Sequence, residues 1–230
     1  MRPETRARIA LLIEGHVQYA FMTIEQIERF YARFYPRWNR DAYYGLMEML
    51  KVAPRQRISR MSCGQRSQVA LGLILAQNAD LLVLDDFSMG LDPGYRRLFV
   101  EYLRDYAQSE EKTVFLTSHI IQDMEKLVDD CIIMDYGRIL IQKPVKELLD
   151  TFTRYTFKTS SPDKLPHDPS LYSTAAIRDS AETYSFENEE RIKQILQEQS
   201  IPYTDFKSEK MNLEDVFIGL TGKYLSLIHI

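Results

Sequence analysis

The chain has 230 residues, 45% of them apolar and 27% charged, with a formal net charge of −4. That is enough to bury the core of one large domain or two small ones, and the acidic balance excludes the broad basic footprint of a nucleic-acid binder. Only two cysteines are present, Cys63 and Cys131, which excludes a disulfide framework or a cysteine-rich metal site and fits a reducing, cytosolic compartment. No apolar run approaches the roughly 18 residues that cross a bilayer, and IALLI behind the charged start is too short for a secretory signal.

The hydrophobic pattern alternates between strand and helix periods. Ile9 to Ile13 reads as a short buried strand. TIEQIERFYARFY, from Thr23, reads as an amphipathic helix opened by a Thr23/Gln26 capping box and closed before Pro36. A second helix is expected from Asp41 to Val52 and a third, mostly buried, from Cys63 to Gln77. Leu81 to Asp85 is a strand. Pro93 to Ala107 is a helix with Asp92 as its N-cap, and Thr113 to Ser118 is another strand. Strands separated by helices imply a parallel sheet. A short helix, Gln122 to Val128, then precedes CIIMDYGRILIQ, where Tyr136-Gly137 marks a hairpin turn.

Beyond Asp150 the texture changes. Lys158 to Ser170 is rich in Ser, Pro and Asp and reads as an exposed loop between strands at Tyr155 to Lys158 and Thr183 to Phe186. A helix at Glu189 to Gln199, a strand near Tyr203 to Lys207 and a helix at Leu213 to Leu220 complete a small α+β unit. The expected division is 1–150 and 151–230, with a helical subdomain over about 23–78.

Chemistry concentrates in the first part. LLVLDD ends a buried strand on Asp85 and Asp86, and adjacent carboxylates need a partner, most economically a divalent cation with a phosphate. MSCGQ places Ser62 as cap and Gln65 as its reciprocal partner at a helix start, where free N–H groups suit a phosphate. VFLTSHI ends a second strand near His119, and in a parallel sheet both strands end at the carboxyl edge where ligands bind.

In this order the segments resemble the nucleotide-binding subunit of ABC transporters. Met61, Ser62, Cys63, Gly64 and Gln65 stand where that family usually shows Leu-Ser-Gly-Gly-Gln. Asp85 resembles the Walker B aspartate, and Asp86 stands at the position of the catalytic glutamate. Gly90-Leu91-Asp92 resembles the D-loop, His119 the switch histidine, and Glu14 occupies the glutamine-loop position. NLEDVFIGLTGKYL resembles the closing helix of bacterial exporter subunits with a C-terminal extension.

The resemblance implies a P-loop NTPase-like α/β fold, ATP and Mg²⁺ as ligands, and a dimer with a like or related subunit. It also implies an integral-membrane permease as partner and a place on the inner face of the membrane; the lone cassette and the acidic balance disfavour a soluble ABC-type protein acting on ribosomes or DNA, so no nucleic acid is expected as partner. Asp85, with Glu14, would serve the metal, Asp86 and His119 the hydrolysis, and Ser62 to Gln65 with Asp92 the nucleotide. Two departures weigh on this. Asp86 is one methylene shorter than glutamate, and a non-hydrolysing regulatory or structural subunit is the alternative. No G-x-x-x-x-G-K-[ST] occurs, and only thirteen residues precede Glu14, so the resemblance implies a chain that starts inside the domain, without Walker A. Phe30 to Trp38 reads as a core face by default and, by the resemblance, as a docking surface for a membrane partner.

Overall fold

The computed structural model describes residues 2–13, 19–86 and 91–222; Glu14 and Gly90 lie outside the described residues. Two compact units are present, Met1–Asp123 and Met124–Ile230.

The first unit is α/β. A short helix, α1 (Pro3–Arg6), leads into β1 (Ile9–Leu12), and three helices follow: α2 (Ile24–Tyr31), α3 (Arg40–Met49) and α4 (Cys63–Ala76). Then come β2 (Leu81–Leu84), α5 (Pro93–Ser109), β3 (Thr113–Leu116) and the single turn α6 (Ile121–Met124). The strands form a parallel sheet in the order β1-β2-β3, with Leu12 opposite Leu84 and Leu84 opposite Leu116. Crossovers of this length, carrying helices, are what parallel pairing requires.

Ala10, Leu82 and Leu84 turn inward and are fully buried, whereas Leu11, Ile13 and Phe115 are 54%, 58% and 55% exposed. The strand expected to be buried at Ile9 to Ile13 is therefore covered on one face only. Parallel sheets ordinarily carry helices on both; among the described residues only one face is covered.

Helices α2, α3 and α4 close around Ile24, Ile27, Tyr43, Leu46, Met47, Leu71 and Leu75, all essentially without solvent contact. The Tyr43 hydroxyl donates to the Ile24 carbonyl at 3.0 Å, and burial raises its pKa far above the ordinary phenol value. The Thr23/Gln26 capping box forms as expected. The helix nevertheless ends at Tyr31, short of Pro36. Arg33 and Phe34 bond three residues back, and Trp38 Nε1 reaches the buried Glu28 at 3.0 Å, folding the aromatic segment onto its own helix. Proline disfavours a helical residue before it, so the chain tightens ahead of Pro36 rather than at it.

In the second unit β4 (Asp130–Asp135) and β5 (Arg138–Pro144) form the expected hairpin, turning at Tyr136 and Gly137, both with positive φ. Helix α7 (Val145–Thr151) follows. A four-stranded antiparallel sheet comes next, in the order β7-β8-β6-β9, built from β6 (Thr153–Lys158), β7 (Leu171–Ile177), β8 (Ser180–Ser185) and β9 (Thr204–Glu209). Helix α8 (Glu189–Glu198) packs Ile192, Ile195 and Leu196 onto Tyr155, Phe157 and Phe206. Helix α9 (Leu213–Thr221) brings Gly219 against Tyr184; a Cβ there would lie 2.5 Å from the ring.

Candidate functional site

At the carboxyl edge of the parallel sheet, β2 and β3 end level with each other. The Asp85 N–H donates to the Leu12 carbonyl at 2.8 Å and the Thr117 N–H to the Leu84 carbonyl at 2.9 Å, so pairing extends one residue past each strand. This brings Asp85, Asp86, Thr117 and His119 together. The Thr117 hydroxyl donates to Asp85 Oδ1 at 2.8 Å and accepts from the Asp86 N–H at 3.0 Å. His119 Nδ1 lies 2.8 and 3.0 Å from the two Asp86 carboxylate oxygens. A carboxylate accepts only, so Nδ1 carries the proton and Nε2 is left facing away from Asp86. Asp86 has φ +41°, a left-handed backbone that L residues adopt at a cost.

A second set forms where α4 and α5 begin. Ser62 caps α4 by accepting from the Gln65 N–H at 3.2 Å, while Gln65 Oε1 accepts from the Ser62 N–H at 3.1 Å. Cys63, in the first turn, is exposed. Gly64 is buried against Tyr95, and a Cβ there would come within 3.1 Å of its ring. Asp92 caps α5 through Oδ1, which accepts from the Gly94 and Tyr95 N–H groups at 3.0 and 3.1 Å. Gln68, fully buried, donates Nε2 to the Tyr95 carbonyl at 3.1 Å. Tyr95 thus ties the Asp92 end of α5 to the Ser62 end of α4. The sequence alone does not single out Thr117, Tyr95 or Gln68. The hydroxyl two residues before His119 was the available signal for the first; the other two carry none without the packing.

Among the described residues no group of three or more His, Cys, Asp or Glu side chains could hold a metal alone. Mg²⁺ does not need one, since it keeps several waters and binds through one or two carboxylates plus phosphate. Asp85, exposed and bonded to Thr117 through one oxygen, fits that requirement.

Comparison with known proteins bears on what such an edge serves. Residues 51–122 match a family model described as an AAA domain, putative AbiEii toxin, Type IV TA system. The Nod factor export ATP-binding protein I of Ralstonia nicotianae (strain ATCC BAA-1114 / GMI1000) is 29% identical over 189 residues, 78% of this chain and 59% of that protein. The energy-coupling factor transporter ATP-binding protein EcfA2 of Staphylococcus aureus (strain MRSA252) is 37% identical over 89 residues, 39% of this chain and 31% of that protein. Two solved structures share the fold at 20% identity. One, an ATP binding subunit of an ABC transporter, has a TM-score of 0.55 over 64% of this chain and 63% of its own. The other, cbiO1 from Clostridium perfringens, part of the ABC transporter complex cbiONQ, has a TM-score of 0.53 over 63% and 60%. Both relatives are named as ATP-binding proteins of export or transport systems, and the two solved structures that share the fold are named as parts of ABC transporters.

The chain spans about three fifths of the length of the Nod factor relative and less of EcfA2. Met61 to Gln65 span the start of α4, and Asp85 and Asp86 directly follow β2. No helix among the described residues is long and apolar enough to cross a membrane.

Proposed function

We propose that this chain is an ATP-binding and ATP-hydrolysing subunit of an ABC transporter, working with an integral-membrane permease on the inner face of the membrane. The observation that carries the reading is the meeting of Asp85, Asp86 and His119 at one sheet edge, directly after the capped helix that begins at Ser62. We assign nucleotide binding to residues 1–150 and an accessory role to 151–230, a functional boundary distinct from the compact division at Asp123. Two such subunits, alike or related, enclose ATP between them, and the α4 start, Ser62 to Gln65, faces the γ-phosphate held by the opposite subunit. Free N–H groups at that end favour an anion.

Asp85 and Glu14 would hold Mg²⁺, which would supply neutralisation of the charge on the phosphates. Asp86 orients the attacking water. His119, its Nδ1 proton committed to Asp86, has Nε2 on its other side, and that nitrogen can donate to a γ-phosphate oxygen only in the imidazolium form. Asp92 keeps the start of α5 in register with the α4 start through Tyr95. No phosphate-cradling G-x-x-x-x-G-K-[ST] occurs in the 230 residues.

The test uses the complex isolated from membranes through a tag on this chain, with phosphate release and ATP-dependent association measured together. Asp86→Asn removes the charge and nearly preserves the volume, so turnover should fall at least about tenfold to a hundredfold while an ATP-bound dimer accumulates. Ser62→Arg fills the space of the opposite nucleotide and should prevent the dimer. Unchanged release by Asp86→Asn would favour a non-hydrolysing subunit. That second reading rests on the side chain of Asp86, one methylene shorter than glutamate and already engaged by His119.

A further inference from the structure

We propose that Thr117 is the positioning residue that sets both carboxylates of the edge. A hydroxyl has one proton and two lone pairs. Here the proton goes to Asp85 Oδ1 at 2.8 Å and a lone pair takes the Asp86 N–H at 3.0 Å, so a single atom fixes one carboxylate directly and the other through its backbone.

The second bond has the larger consequence. Successive residues of a strand point to opposite faces, so a straight continuation of β2 would send the side chains of Asp85 and Asp86 apart. Both instead reach the segment Thr117 to His119, because the chain turns at Asp86, where φ is +41°. A left-handed aspartate persists only where its surroundings hold it. The bond that holds this one comes from Thr117, placed level with Asp85 by the parallel register that continues past Leu84 and Leu116. Without the hydroxyl, Asp86 relaxes toward extended backbone, its carboxylate leaves His119 Nδ1, and the ring loses the contact that fixes its tautomer. The hydroxyl acts through the aspartates and has no contact with substrate in this scheme.

The catalytic meaning of the arrangement rests on the ATPase reading, whereas the geometry can be tested without it. Thr117→Val keeps the shape and deletes both bonds, Thr117→Ala deletes them without added bulk, and Thr117→Ser keeps the hydroxyl. In the full chain, NMR should show the Asp86 amide exchanging with water at least about tenfold faster in the Val and Ala forms, since it has lost its acceptor. The His119 ring nitrogen signals should move toward those of an unbonded imidazole. The Ser form should match wild type in both, with the thermal midpoint nearly constant throughout. In the membrane complex, Val should lower kcat at least about tenfold with KM unchanged, and Ser should restore it. Wild-type amide and ring signals in both the Val and Ala forms would overturn the proposal. Altered signals with unaffected turnover would overturn its link to catalysis. A wild-type complex that releases no phosphate would count against the ATPase reading and leave the amide and ring signals to decide Thr117.

Discussion

Asp80 stands at the opposite end of β2 from Asp85 and takes an arginine on each oxygen. Arg8 Nε bonds Oδ2, and Arg37 Nη1 lies 2.8 Å from Oδ1. The Arg8 hydrogen bond first, then that of Arg37, holds its carboxyl below the usual range. A depressed folded pKa adds stability that is present above the unfolded pKa, near 3.8, and is lost as pH falls through the folded value. Asp80→Asn should therefore lower the urea midpoint at pH 6, and the difference should shrink steadily below pH 4. A gap that persists at acid pH would mean that the side chain acts through shape rather than charge. Single residues differ in how far they can be read from sequence alone. The Ser62/Gln65 and Thr23/Gln26 boxes are legible because cap and partner sit three residues apart. The Asp80 clamp and the Thr117 bridge join residues more than thirty positions apart, and only the tertiary fold puts them in reach.

Among the elements, α5 and α6 are joined by one ion pair between partly buried partners. Arg96 Nε lies 2.6 Å from Asp123 Oδ2, and each side chain is 23% exposed. The pair ties the first turns of the helix that Asp92 caps to the turn that follows His119. Arg96→Ala strands a carboxylate oxygen that has no water contact, which should cost about 1–3 kcal/mol in urea unfolding. Exchanging the charges, Arg96→Asp with Asp123→Arg, should recover part of that loss; no recovery would mean that the packing of Arg96, and not its charge, is what α6 needs. Long elements with strong periodicity, α4 and α5 among them, were legible to within a residue or two. Three shorter features were not. Helix α7 follows Pro144 without a side-chain cap, so its start carries no signal. Strand β7 has a bulge between Tyr172 and Ala175, with Ser173 at φ +41°, which breaks the two-residue alternation that would reveal it. The short helix expected at Gln122 to Val128 stops at Met124, where Leu127 and Val128 both bond back to one carbonyl.

For the molecule as a whole, the open face of the first unit's sheet decides how the chain behaves in solution. Leu11, Val83 and Phe115 are aligned across all three strands, neighbouring strands being about 4.8 Å apart. Leu11 and Phe115 are more than half exposed, and Ile13 adds to the same face. A contiguous apolar row of this kind, on a sheet whose two outer strands have no further pairing partner among the described residues, attracts other copies both face to face and edge to edge. The opposite face, with Ala10, Leu82 and Leu84, is already satisfied by helices and should take no part. The isolated 230-residue chain should therefore associate with rising concentration and bind a hydrophobic dye, as light scattering and fluorescence would show. Replacing Leu11 and Phe115 together by Lys places two like charges on the row and should suppress association and dye binding while leaving far-ultraviolet circular dichroism unchanged, because neither side chain contributes to the buried core. A wild-type chain that stays monomeric at high concentration, melts sharply and binds no dye would mean that this face is covered in solution.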